Sequence, residues 1–186
     1  MNRPDDVWRE GLVHLGPEWM LGADGLPFRR AARVILVDDA DRVLMVRGHD
    51  IEEPGRHWWF TVGGGIDSDE TARDAVLREL HEETGLRLDP AALVGPVLTR
   101  SARFDFARLS VRQDEEFFLA RVAAPGEIAT DRWTEIERRF MDEARWWDLD
   151  ELAVVGEQVY PEGFVGIARA LLSGWDGVVR QLPPGP

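Results

Sequence analysis

Apolar residues follow two different rhythms along this chain. Between Ala31 and Gly48, "ARVILVDDADRVLMVRG" places two apolar runs around Asp38-Asp39-Ala40-Asp41, which predicts two strands joined by a turn. "HWWFTV" supplies another strand, and residues 93–106 and 111–122 read as two more. Over residues 69–84 the spacing changes: Ala72, Val76 and Leu80 recur every fourth position with Ala75 alongside, the apolar stripe of a helix. Asp67 or Ser68 suits its N-cap, and acids in the first turn suit its dipole. Gly85 followed by Leu86 suits its C-cap. "VAAPGEIATD" is a turn-rich connector, residues 161–173 predict a closing amphipathic helix, and "LPPGP" reads as a frayed tail. No internal repeat or low-complexity block interrupts this order. Strands before and after a helix predict an α/β sandwich.

Composition limits what such a fold does. The chain has 186 residues, 44% of them hydrophobic, enough for one domain that buries about 70% of its unfolded surface. It has no cysteine, which removes disulfides and thiolate chemistry. The first residues lack the basic-then-apolar order of a signal peptide, and no apolar run is long enough for a bilayer. The expectation is a cytoplasmic protein with no membrane partner. A net charge of -13 argues against non-specific nucleic-acid binding, and no nucleic-acid partner is expected. Every basic residue other than histidine is arginine, the better bidentate partner for phosphate.

The candidate chemistry lies in "GGGIDSDETARDAVLRELHEETGL". On a helix Glu79, Glu82 and Glu83 stand at i, i+3 and i+4 and project together. Unneutralised, they raise one another's pKa and weaken the helix unless a cation holds them. Arg78 can reach Glu82, and Asp74 can reach Arg78, one turn away in each case. On the three acids alone, a solvated acidic face is the simpler reading. The full spacing changes that: Gly64, Glu70 six positions on, then Arg78-Glu79-Leu80-His81-Glu82-Glu83-Thr84-Gly85-Leu86 resembles the Nudix box at its defining positions. "RAARVILVDDADRVLMVRG", "QDEEFFLARV" and "EARWWDLDEL" extend the resemblance over roughly residues 30–173. One departure is Val62, where many members carry proline.

The resemblance implies an α/β/α sandwich around a mixed sheet, and divalent-metal-dependent cleavage of a pyrophosphate bond in a nucleoside triphosphate or another nucleoside diphosphate derivative. It makes Glu82 and Glu83 the primary metal ligands and Glu79 a further ligand or the general base. The Gly63 carbonyl becomes an additional ligand, and Glu70 and Arg78 orient the acids. All-oxygen ligation suits Mg²⁺, with Mn²⁺ as the alternative. A hydrolase of ADP-ribose or a nucleotide sugar, and a nucleotide-sensing module without catalysis, are the competing functions. Intact Glu79, Glu82 and Glu83 favour the enzyme. On this reading residues 1–29 are an N-terminal extension, 30–175 the Nudix domain and 176–186 a tail; the expected partner is a small-molecule nucleotide-type substrate, and a homodimer is left open.

Outside the box, Arg47 is the leading candidate for a phosphate contact, with Arg33 and Arg56 behind it and Gly64 giving backbone access. Trp58, Trp59, Trp146 and Trp147 are read first as core. A carboxylate from a later strand is also expected at the metals, with Asp114, Glu115 and Glu116 as candidates. Strand alternation sets Glu115 with Phe117 and Leu119, and Glu116 with Phe118 and Ala120. Because the second set looks like uninterrupted core, Glu115 is the one assigned to the metal site.

Overall fold

The computed structural model describes Leu15 and residues 18–51, 53–106, 109–123 and 126–184. Most of the N-terminal extension and the last two residues of the tail lie outside the described residues. The strands are β1 (Met20–Leu21), β2 (Pro27–Asp38), β3 (Val43–His49), β4 (His57–Thr61) and β5 (Gly63–Gly65), followed by helix α1 (Ala72–Thr84). Then come β6 (Val94–Phe106), β7 (Leu109–Val122), β8 (Met141–Trp147), helix α2 (Leu149–Ala153), β9 (Gln158–Val159), helix α3 (Phe164–Leu172) and β10 (Arg180–Gln181). They form a mixed, curled sheet with helices on both faces.

β2 organises the sheet. It runs parallel to β7 along almost its whole length, from Phe28↔Arg112 to Asp38↔Val122. On its other side it meets β3 at Val37↔Val43 and then β5 at Ala31↔Gly65 to Arg33↔Gly63. A strand with neighbours on both edges and helices over both faces reads as a continuous apolar run, as residues 34–37 of β2 do. Ala32, Val34 and Leu36 join Leu44, Val46, Phe118 and Ala120 under α1, where Ala75, Val76 and Leu80 close the core. Ile35, Val37, Val43, Met45 and Phe117 face the other way, onto Leu149, Leu152, Phe164 and Leu171 of α2 and α3. Trp59 and Trp147 belong to that second core and meet edge to face with ring centroids 4.9 Å apart. Losing a fully buried side chain such as Leu80 costs roughly 2–5 kcal/mol.

The β2–β3 turn follows from its acids. The buried Asp38 carboxylate accepts from Ala40 N and Arg42 N at 3.0 and 2.8 Å, and Asp41 takes a left-handed φ of 58°. Past the turn, β3 leaves β2 and pairs with β4 and β8. The chain then crosses back from β4 to β2 at Val62, whose carbonyl accepts from Val34 N at 2.9 Å. Within the segment read as a tail, Arg180 and Gln181 pair with Leu98 and Thr99. Among the described residues no helix is long and apolar enough to cross a membrane.

Helix α1 begins three residues later than its periodicity predicts. Its N-cap is Thr71, not Asp67 or Ser68: Thr71 accepts from Asp74 N while Asp74 accepts from Thr71 N, a capping box. The preceding residues form a separate turn, in which Asp67 N donates to Glu70 at 2.9 Å. Asp74 is therefore held at the cap instead of pairing with Arg78. Gly85 closes the helix at φ 71°, its N–H donating to His81 O. Thr71→Ala is expected to lower the unfolding free energy by about 1 kcal/mol, and Ser68→Ala by less than about 0.5 kcal/mol, in matched denaturant titrations. Gly85→Val, which forces a β-branched residue into a left-handed conformation with Ala129 Cβ only 3.0 Å from its own Cβ, should cost more than either.

Candidate active site

The site is built where α1 packs against the glycines of β5. Glycine is required twice. At Gly63, with φ 135°, a side chain would run into the Ala32 carbonyl, and at Gly64 it would strike the Glu79 carboxylate. The space left by the missing side chains admits Glu79 and Glu83, which lie on the buried side of α1. Gly63 N donates to Glu83 Oε2 at 3.1 Å. Trp133 Nε1 donates to the Glu83 carbonyl at 2.8 Å, fixing the end of α1 against the connector that follows β7.

That connector supplies a further carboxylate, which the sequence pattern does not single out. Glu137 opens a single 3-10 turn, Glu137–Arg139, and is tied to Thr134 in both directions: Thr134 N donates to Glu137 Oε2 at 2.6 Å, and Glu137 N to Thr134 Oγ1 at 3.2 Å. Oxygens of Glu79, Glu83 and Glu137 lie within 4.8 Å of one another. The signal was present as Thr134-x-x-Glu137, the spacing of a capping box. Nothing local to that motif shows that it folds back onto α1.

Burial dominates the electrostatics of the two inner carboxyls. Burial, partly opposed by Arg78, pushes the Glu79 carboxyl up to about 7. Burial and then the neighbouring Glu79 charge push Glu83 well above the usual carboxylate range. Three hard oxygen donors close together, two of them buried, match what Mg²⁺ or Mn²⁺ requires. A cation here would reverse the cost of ionising them.

The other predicted residues distribute as follows. Arg78 donates to Glu70 at 2.5 Å, to Glu79 at 2.9 Å, to Glu82 at 3.1 Å and to the Gly65 carbonyl at 2.8 Å. Glu70 lies below its ordinary pKa because Arg78 and Asp67 N–H outweigh the opposing effect of burial. Glu82 is more exposed than Glu79 and Glu83, and its carboxylate lies outside the trio. Arg47 shares a strand face with Val43 and Met45, the face turned from α1, where Glu157 and Asp142 engage it. Arg56 lies exposed before β4, 4.0 Å from Asp50.

Glu115 departs furthest from expectation. The alternation holds, with Glu115 on the Phe117 side, but α1 covers the other side, over Phe118 and Ala120. A single strand's pattern pairs residues by face without saying which face the helix takes. Glu115 is fully buried between Arg33 and Arg100, at 2.5 and 2.6 Å, and accepts from Gln113 at 2.7 Å. Burial alone would raise its pKa, yet the two arginines hold it below the ordinary value. Glu116 lies at the rim, paired with Arg30 at 3.0 Å.

A family model of the NUDIX domain matches residues 27–164. The chain belongs to the Nudix family. An RNA pyrophosphohydrolase of Halorhodospira halophila is 30% identical to this Nudix chain over 179 residues, 89% of the chain and 93% of the relative. One from Pseudomonas putida is 27% identical over 171 residues, 83% and 99% respectively. The fold is shared with a MutT protein of Bacillus halodurans, at 22% identity and a TM-score of 0.55 over 83% of this chain and 90% of that one.

A pH dependence follows from the raised carboxyls. Between about pH 4.5 and 7 the unfolded chain has ionised Glu79 while the folded, metal-free chain keeps it protonated. The native state therefore binds more protons, and stability falls as pH rises through that window. Thermal melts of the metal-free protein should show this decline, and saturating Mg²⁺ should flatten it. A metal-free melting temperature that rises from pH 5 to 7 in wild type relative to Glu79→Gln would contradict the assignment.

Proposed function

We propose that Glu79, Glu83 and Glu137 hold the divalent cation with which this Nudix hydrolase cleaves the pyrophosphate bond of its nucleotide substrate, with Mg²⁺ as the working ion and Mn²⁺ as a substitute. The observation that carries the reading is the buried carboxylate trio, two members of which resist ionisation until a cation arrives. A bound divalent cation neutralises charge on the phosphoryl oxygens and makes bound water a better nucleophile.

The chain's own part is positional. Arg78 keeps Glu79 and Glu82 aimed and is itself braced by Glu70, the arrangement of a residue that orients ligands. Glu82, nearer the solvent, reaches the reacting phosphates or the metal's water from the rim. Gly63 offers a carbonyl and Gly64 bare backbone for close approach of substrate. Arg47 and Arg56 stand away from the trio, and Arg33, though beside Gly63, has its donors engaged by Thr61 O, Gly63 O and Glu115, so none of the three is proposed as the phosphate contact.

The substrate class favoured is a nucleotide carrying a pyrophosphate linkage, and the relatives' activity adds the 5′ end of a triphosphorylated RNA. The acidic surface suits recognition of such an end better than tracking along a strand. A panel of nucleoside triphosphates, ADP-ribose, nucleotide sugars, dinucleoside polyphosphates and 5′-triphosphorylated RNA, assayed with Mg²⁺ and with Mn²⁺ and with products identified, tests this. Turnover should vanish on chelation. A compound that stabilises the protein without ever being cleaved would favour the sensing module instead.

Glu83→Gln should lower kcat/KM about a hundredfold while leaving the melting temperature of the metal-free protein unchanged or higher, because a neutral amide replaces a buried carboxyl that resists ionisation. Glu137→Gln should weaken metal binding more than Glu115→Asp does. Near-normal turnover of Glu83→Gln at saturating Mg²⁺ would overturn the ligand set.

A further inference from the structure

The crossing from β4 to β5 leaves two carbonyls, Thr61 O and Gly63 O, beside the metal site, and both are held by one guanidinium. Arg33 Nη1 donates to Thr61 O at 2.9 Å and to Gly63 O at 3.1 Å. Its Nε donates in the opposite direction, to the buried Glu115 carboxylate at 2.5 Å. An arginine can do this because its donors are fixed in one planar fork; a lysine has a single point of charge. Arg33 is only 13% exposed and Glu115 not at all, so both are held by their surroundings.

We propose that Arg33 is a positioning residue that fixes the Gly63 carbonyl for the divalent cation, and that Glu115 acts on the metal site through Arg33 without touching the cation. A carbonyl oxygen has two lone pairs; with one accepting from Arg33, the other is directed and free for the ion. The same loop presents Gly63 N to Glu83 Oε2, so a loop that shifts loses both a carbonyl donor and the bond that orients a carboxylate. Arg100 is the control built into the network. It neutralises the other oxygen of Glu115 at 2.6 Å, but among the described residues it donates to no carbonyl of the crossing.

This inference rests on the metal reading above, and direct ion binding separates the two. Mn²⁺ binding to the full-length chain is measured by electron paramagnetic resonance, with Mg²⁺ competition, alongside melting temperatures. Arg33→Met and Arg100→Met each leave Glu115 with one arginine, so they are matched in charge and in burial cost. Arg33→Met is expected to raise the Mn²⁺ Kd about tenfold, in line with loss of a residue that orients a ligand, and to raise the Mg²⁺ concentration needed for half-maximal turnover by a similar factor, with less change in kcat at saturation. Arg100→Met is expected to leave the Kd within about twofold of wild type even where the melting temperature falls. Glu115→Asp, which keeps the charge but retracts it, should give an intermediate Kd, and combining it with Arg33→Met should add nothing further.

Equal weakening by Arg33→Met and Arg100→Met would reduce the network to a structural one and overturn the proposal. An unchanged Kd in Arg33→Met would do the same. Wild-type protein that binds no Mn²⁺, or Glu83→Gln that binds it normally, would instead overturn the metal reading itself.

Discussion

The backbone crossing at Thr61-Val62-Gly63 governs the architecture around it. There the chain passes between the half of the sheet built on β3 and β4 and the half built on β2 and β7. Only backbone fits, because the Ala32 carbonyl occupies the space a side chain would need at Gly63. Burying a carboxylate costs several kcal/mol, so two neighbouring acids would ordinarily turn outward. Here the apolar stripe of α1 sets their direction, and the missing side chains of β5 leave them somewhere to go. The helix is thus committed to holding two carboxyl groups inside, where burial keeps them reluctant to ionise before any ligand is considered.

How much of this could be read from the chain depends on how local each cause is. The stripe of α1 and its glycine stop are properties of a dozen consecutive residues, and both were legible. The N-cap was not, because four candidate capping residues precede Ala72 and the reciprocal pairing of Thr71 with Asp74 decides among them. The alternation in β7 was legible; the face covered by α1 was not, since that depends on the handedness of connections between distant elements. Glu137 illustrates the same limit: its own turn is encoded nearby, while its nearness to Glu79 and Glu83 comes from the connector being pinned through Trp133.

The arginine-only basic complement acquires a physical meaning in the folded chain. Arg33, Arg78 and Arg100 each contact carboxylates at the partly buried positions where a fork of fixed donors does more than a mobile ammonium. Arg78 serves three acids and a carbonyl at once. A surplus of acid over base at the surface therefore coexists with an interior in which most charges near the site are matched. Within the trio a single arginine, Arg78, reaches only Glu79 among the described residues, and that shortfall is what makes the three carboxyls receptive to a cation.

The long parallel partnership of β2 with β7 also orders events in time. Phe28 pairs with Arg112 and Asp38 with Val122, so the central strand emerges from the ribosome well before its longest neighbour exists. Helix α1 is synthesised in between, with its apolar stripe formed and half of its sheet still missing. Non-local parallel pairing is slow because loop closure must precede any gain from contact. During that interval α1 has β2, β3 and the glycines of β5 to pack against, while Phe118 and Ala120 of β7 are still missing from its core. The β2–β7 pairing therefore closes only after the carboxylate helix has been synthesised, and it brings the apolar core beneath that helix its missing strand.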